Sequence, residues 1–189
     1  MRRAPSLSHS LPHALSFSLC FALASLCQLT PAHAADKPWP APEFTHQAPA
    51  DWLNSPPVKL ADLQGKVVVL DFWTFGCWNC YRSFPWLNGV RERFAQQGVQ
   101  VVGIHSPETD SERNPADILE KAKKFAVTNP VMIDNDFSYW KAMGNRYWPT
   151  FYVLDKKGRV RGQFIGETHD GDKNAMALEA MLKKLLAEN

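Results

Sequence analysis

Residues 67–73, Val-Val-Val-Leu-Asp-Phe-Trp, run through Thr74-Phe75-Gly76 into Cys77-Trp78-Asn79-Cys80. Seven residues, apolar at six positions, have strand length and no polar face. Such a strand has to be covered on both sides, which places it at the centre of a parallel or mixed sheet. A helix is expected from about Cys77 to Gln97, closed by Gly98. A buried strand feeding a helix restricts the chain to layered α/β architectures.

The rest of the chain fits that restriction. Val99 to His105 is a second buried strand, and Asn114-Pro115 reads as the cap and first residue of a helix. Ile118, Leu119, Ala122, Phe125 and Ala126 keep helical spacing. Val131 to Ile133 is a short strand and Phe137 to Met143 a short helix closed by Gly144. Thr150–Leu154 and Val160–Ile165 flank Asp155-Lys156-Lys157-Gly158 as a hairpin. Asp172 caps a last helix whose stripe is Leu178, Met181, Leu182, Leu185 and Leu186. The pattern predicts a mixed sheet covered by helices on both faces. Residues 35–58, rich in Pro and Ala, are expected to be an irregular extension with one short strand at Glu43–His46, followed by the domain proper at 59–189.

The first 34 residues read as a leader. Arg2-Arg3, an uncharged apolar stretch and Ala32-His33-Ala34 have the layout of a secretory signal peptide cleaved after Ala34. The apolar stretch falls short of the ~20 residues of a spanning helix, and a membrane tether by an uncleaved leader is the alternative. Cleavage leaves 19 basic against 19 acidic residues, which gives no electrostatic reason to expect nucleic acid as a partner. It also removes Cys20, Cys27 and three of the six His. An exported chain is then left with one cysteine pair closing a very short loop, a poor structural staple. The pair is better suited to chemistry.

The logic of that chemistry is local. A sulfur at a helix N-terminus meets unpaired N–H groups and the positive end of the helix dipole, which favour thiolate. Cys77 is therefore the expected nucleophile, and Cys80, one turn on, the thiol that resolves a mixed disulfide. Zinc would need two further ligands and finds only the scattered His46, His105 and His169; no metal is expected. Asp71, six residues before Cys77 in an apolar strand, should be desolvated and serve as proton acceptor for Cys80. Pro85 falls inside the first helix and should kink it. Pro149, in Trp148-Pro149-Thr150, is a candidate cis residue beside the cysteines. His105 is expected to be a hydrogen-bonded structural histidine, Trp73 a core residue, and the charged run Glu108–Arg113 a solvated loop.

Together Asp71-Phe72-Trp73, Cys77-x-x-Cys80, Pro85 and Pro149-Thr150 resemble the thioredoxin family over about residues 59–188. The resemblance implies a thioredoxin fold with Pro149 cis, and an extra helix and strand before the hairpin. Leu63-Gln64-Gly65-Lys66-Val67-Val68 is similar to TlpA/ResA-like periplasmic redoxins, while Gly103-Ile104-His105-Ser106-Pro107-Glu108, Asp134-Asn135-Asp136 and Tyr147-Trp148-Pro149 are similar to the soluble C-terminal part of DipZ proteins. In DipZ that part is fused to a membrane electron-transfer domain, so here a separate membrane-embedded donor is expected. The chain departs from the family at Trp78-Asn79, where thioredoxins have Gly-Pro, and at Gly76, where they have Trp. No His lies between the cysteines, unlike in the strongly oxidising members.

The expected activity is reduction of disulfides in other exported proteins, with no cofactor beyond the Cys77–Cys80 couple. Trp78, Trp148 and Thr150 are the candidate substrate-binding residues. The alternatives are a dithiol oxidase, a thiol peroxidase and a non-enzymatic metal carrier. Thr74-x-x-Cys77 is similar to a peroxiredoxin element but lacks its preceding proline. The sequence leaves the oligomeric state open.

Overall fold

A computed structural model describes Met1 and residues 34–188. The expected leader, up to His33, lies outside the described residues except for Met1. Eleven regular elements follow one another: β1 (Ala34–Pro40), β2 (Trp52–Leu53), β3 (Val67–Trp73), α1 (Trp78–Phe94), β4 (Val99–His105), α2 (Pro115–Lys124), β5 (Val131–Ile133), α3 (Ser138–Ala142), β6 (Thr150–Leu154), β7 (Arg159–Ile165) and α4 (Lys173–Ala187). They form one seven-stranded sheet in the order β1-β7-β6-β3-β4-β5-β2. β3 pairs with β4 in parallel and with β6 antiparallel, so the sheet is mixed and β3 is central. This is the thioredoxin-like α/β fold, with β5 and α3 inserted before the hairpin.

Every residue of β3 is buried, and its alternation divides the molecule. Val67 and Val69 pack with Trp86, Leu87 and Val90 of α1 and with Leu178, Leu182 and Leu185 of α4. Further along the same face, Trp73 packs with Cys80 and Phe84 of α1 and with Ile118 and Ala122 of α2. Val68, Leu70 and Phe72 point the other way, into a cluster with Phe44, Trp52, Met132, Tyr139 and Tyr152. Three helices thus cover one face. The other is covered by the five-residue α3 together with the lead-in.

The helix ends obey their signals. Cys77 caps α1, Asn114 accepts from Ala116 N–H at the start of α2, and Asp172 accepts from Ala175 N–H at the start of α4. α1 runs through Pro85 and gives way to a 3-10 turn over Ala95–Gln97, closed by Gly98 at φ 99°. That positive φ is where glycine is needed.

The lead-in corrects the expectation. Glu43–His46 forms no strand, and the segment is not wholly irregular. β1 instead pairs with β7 at one sheet edge and β2 with β5 at the other. Between them Phe44 and Trp52 are buried edge-to-face, with ring centroids 5.4 Å apart, and Trp52 Nε1 donates to His46 O. Prolines and short strands masked a segment whose burial is set by tertiary packing. Trp52→Ala should therefore cost about 3 kcal/mol in urea unfolding, as for a core aromatic. A loss under about 0.5 kcal/mol would show that the lead-in is not part of the domain.

Candidate active site

The active turn is built where β3 hands over to α1. Cys77 and Cys80 are joined as a disulfide across one helical turn. Cys77 occupies the N-cap, and its Sγ accepts from Cys80 N–H at 3.1 Å. The two sulfurs differ in access: Cys77 is 8% exposed and Cys80 1%. Only Cys77 can be approached from outside without opening the helix.

Asp71 lies on the pleat face of β3 that also carries Val69 and Trp73, and this face packs against α1 and the disulfide. It is opposite Gly103 in β4 and Phe151 in β6. Burial pushes its carboxyl up to about 8. At neutral pH the group is a protonated acid at the edge of ionisation, the condition for moving a proton. The expected desolvation of Asp71 is present in the structure.

Glu112 was missed. The run Glu108–Arg113 is not simply a solvated loop: a 3-10 turn at Asp110–Glu112 turns Glu112 inward to 4% exposure. Its carboxylate accepts from Thr74 Oγ1, from Thr109 Oγ1 at 2.9 Å and from Glu108 N–H at 3.1 Å, and the Gly76 backbone also bonds to it. Burial alone would raise its pKa, but these bonds hold it below the usual carboxylate value. A Cβ on Gly76 would overlap the carboxylate, which explains why the residue before Cys77 is glycine rather than tryptophan. That unusual glycine, together with Thr74, was the available signal.

His105 ends β4 beneath the same turn and is fully buried. Its Nε2 lies 3.3 Å from Thr74 Oγ1 and accepts from Phe75 N–H at 3.4 Å. Burial lowers its pKa to about 4, with Glu112 opposing the shift, so the ring is neutral in ordinary buffers.

A groove of about 240 Å³ opens over the disulfide, lined by Gly76, Cys77, Trp78, Asn79, Glu108 and Trp148. Trp78 is exposed. Trp148 is half-buried, donates from Nε1 to Ser106 O at 3.0 Å and lies 4.3 Å from the Trp140 ring. The Trp148–Pro149 bond is cis. Thr150 corrects its assignment: it is fully buried, and its hydroxyl donates to Tyr147 O at 2.8 Å. It closes the turn and does not line the groove. Tyr147, on that turn, is exposed.

His46, Asp134 and Asp136 bring ligand-type atoms within 4.8 Å of one another. Asp134, however, already accepts from Tyr139 N–H, Trp140 N–H and Ser106 Oγ. The group ties the lead-in to the start of α3.

The fold and this turn define a redoxin: a thioredoxin-like protein whose working group is a disulfide at a helix N-terminus. The AhpC/TSA family matches residues 39–163, and the chain belongs to that family. It is 30% identical to thiol-disulfide oxidoreductase YkuV of Bacillus subtilis, over 79% of this chain and 95% of YkuV. It is 37% identical to protein DipZ of Mycobacterium tuberculosis over 71% of this chain, which spans only 19% of DipZ. Among solved structures, one assigned as thiol:disulfide interchange protein DsbE of Chlorobium tepidum superposes with a TM-score of 0.68 at 28% identity, covering 80% of this chain and 98% of that one. The chain is thus similar, over most of its own length, to proteins named as thiol-disulfide oxidoreductase and thiol:disulfide interchange protein.

The buried acid has a measurable signature. Between about pH 4 and 8 the unfolded chain has released the Asp71 proton and the folded chain has not. Folding stability therefore falls with rising pH across that window, by up to about 1.4 kcal/mol per pH unit from this group. Asp71→Asn should remove the slope, so that its stability advantage over the parent grows from pH 4 to pH 8 in denaturant titrations. Parallel stability curves would contradict the buried acid.

Proposed function

We propose that this chain is exported, to the periplasm of a bacterium, and reduces disulfides in other exported proteins. The observation that carries the reading is the pairing of an accessible Cys77 at a helix N-terminus with a buried Asp71 whose carboxyl titrates near 8, on the same face as the covered Cys80.

The steps follow from that placement. The Cys77 thiolate attacks a substrate disulfide; one substrate sulfur leaves as thiolate and Cys77 is held in a mixed disulfide. Cys80 gives its proton to Asp71 in the minor fraction of molecules in which that carboxyl, titrating near 8, is ionised, and attacks Cys77 Sγ. The second substrate sulfur departs, two electrons have passed to the substrate, and the Cys77–Cys80 disulfide is left. A separate membrane-embedded dithiol donor restores the pair. The couple itself is the redox group, and no added cofactor enters these steps. Trp78, Trp148 and the backbone at Pro149 form the platform for an extended substrate segment.

The peroxidase alternative is disfavoured by Thr74, whose hydroxyl is committed to Glu112. Among the described residues, no helix is long and apolar enough to cross a membrane.

Cys80→Ser should accumulate mixed disulfides with exported proteins, released by dithiothreitol, whereas Cys77→Ser should form none and lose disulfide reduction. Full reducing activity in Cys77→Ser would overturn the reading. Asp71→Asn should slow release of reduced substrate by about 100-fold while leaving the first attack by Cys77 within a few-fold. Equal slowing of both steps in stopped-flow traces would remove Asp71 from its role.

A further inference from the structure

We propose that Glu112 is a positioning residue for Cys77 that sets its reactivity: the carboxylate pins the Thr74–Gly76 turn and, as a fixed anion beside the residue before Cys77, opposes formation of the Cys77 thiolate. The inference rests on the reading of Cys77 as the attacking thiol.

The argument begins with geometry. Four donors converge on one buried carboxylate: two hydroxyls, from Thr74 and Thr109, and two backbone groups, from Glu108 and Gly76. Two of these, Thr74 and Gly76, belong to the short link between β3 and α1, and a third atom of that link, Phe75 N–H, is held by His105. All three link residues are therefore fixed from the β4 side. Gly76 lacks a side chain where the carboxylate needs the space. A carboxylate satisfied by four donors remains charged, in keeping with its lowered pKa.

Several ionisable groups lie on the elements around Cys77. They include Asp71 on β3, Tyr81 and Arg82 on α1, His105 at the end of β4, Glu108 and Glu112 in the segment after β4, and Arg146 before the cis-proline turn; Arg82 is paired with Glu167. Asp71 and His105 are neutral near pH 7, so the acidic groups that act on the site are the two glutamates. Glu108 opens to the solvent-filled groove and is screened. Glu112 is buried, and its field reaches across the site: burial raises the Tyr81 phenol and Glu112 adds to that rise, while Glu112 opposes the burial-driven fall at His105. The helix N-terminus favours thiolate at Cys77; Glu112 opposes it. A less stabilised thiolate means a less stabilised dithiol, and hence a stronger reductant once thiolate is populated.

The test is the pH profile of alkylation of the reduced full chain by limiting iodoacetamide, with the modified cysteine identified by peptide mass. In Glu112→Gln the apparent pKa of Cys77 should fall by about one unit, a tenfold change in its ionisation constant. Thr109→Val, which removes one bond to the carboxylate and keeps its charge, should leave that pKa in place. An unmoved profile in Glu112→Gln, or equal shifts in both variants, would overturn the inference. If Glu112→Gln fails to fold, Glu112→Asp, which withdraws the charge from Gly76, should give a smaller fall; a rise would contradict the inference. Alkylation that maps to Cys80 in the parent protein would instead sink the assignment of Cys77 as nucleophile.

Discussion

The burial of β3 on both faces is the constraint from which the rest follows. Hydrogen-bonded to β4 and β6, the strand cannot shift by one residue without sending Val67, Val69, Asp71 and Trp73 to the wrong side. Its odd positions carry α1, and so the disulfide and the acid beneath it. Its even positions hold Phe44, Trp52 and Tyr139. The register that fixes the core also puts a carboxyl on the active-site face.

Two carboxyl groups flank the cysteines, and their surroundings push them in opposite directions. Asp71 sits in an apolar strand and is pushed up to about 8. Glu112 is as nearly buried, yet it meets four hydrogen-bond donors and stays below its usual value. Desolvation dominates in one place and hydrogen bonding in the other. One group can exchange a proton near neutrality; the other is a fixed charge. Pairs whose environments separate their pKa values are a common way to divide acid–base and electrostatic roles.

Much of this was legible in the chain. The seven-residue apolar run, the Asn114-Pro115 cap, the Asp155–Gly158 turn and the stripe on α4 each carry a local rule, and each element formed where expected. Cys77, Cys80, Asp71 and the cis Pro149 lie on or beside those elements. The failures were all cases in which tertiary contacts override local character. Proline-rich residues 35–58 gain two edge strands because sheet edges were open to them. Glu112 sits in a charged run that looks solvated until Thr74 and Gly76 are placed beside it. Thr150 follows the cis proline, but the antiparallel pairing to Phe72 turns its side chain inward.

The most direct test is the redox equilibrium of the Cys77–Cys80 couple against glutathione, followed by tryptophan fluorescence and thiol count. A reductant with a buried acid, a fixed anion by its nucleophile and no histidine between its cysteines should have a potential near or below about −220 mV. A potential near about −120 mV would mean that the Trp78-Asn79 turn stabilises the dithiol, and would make the protein an oxidase.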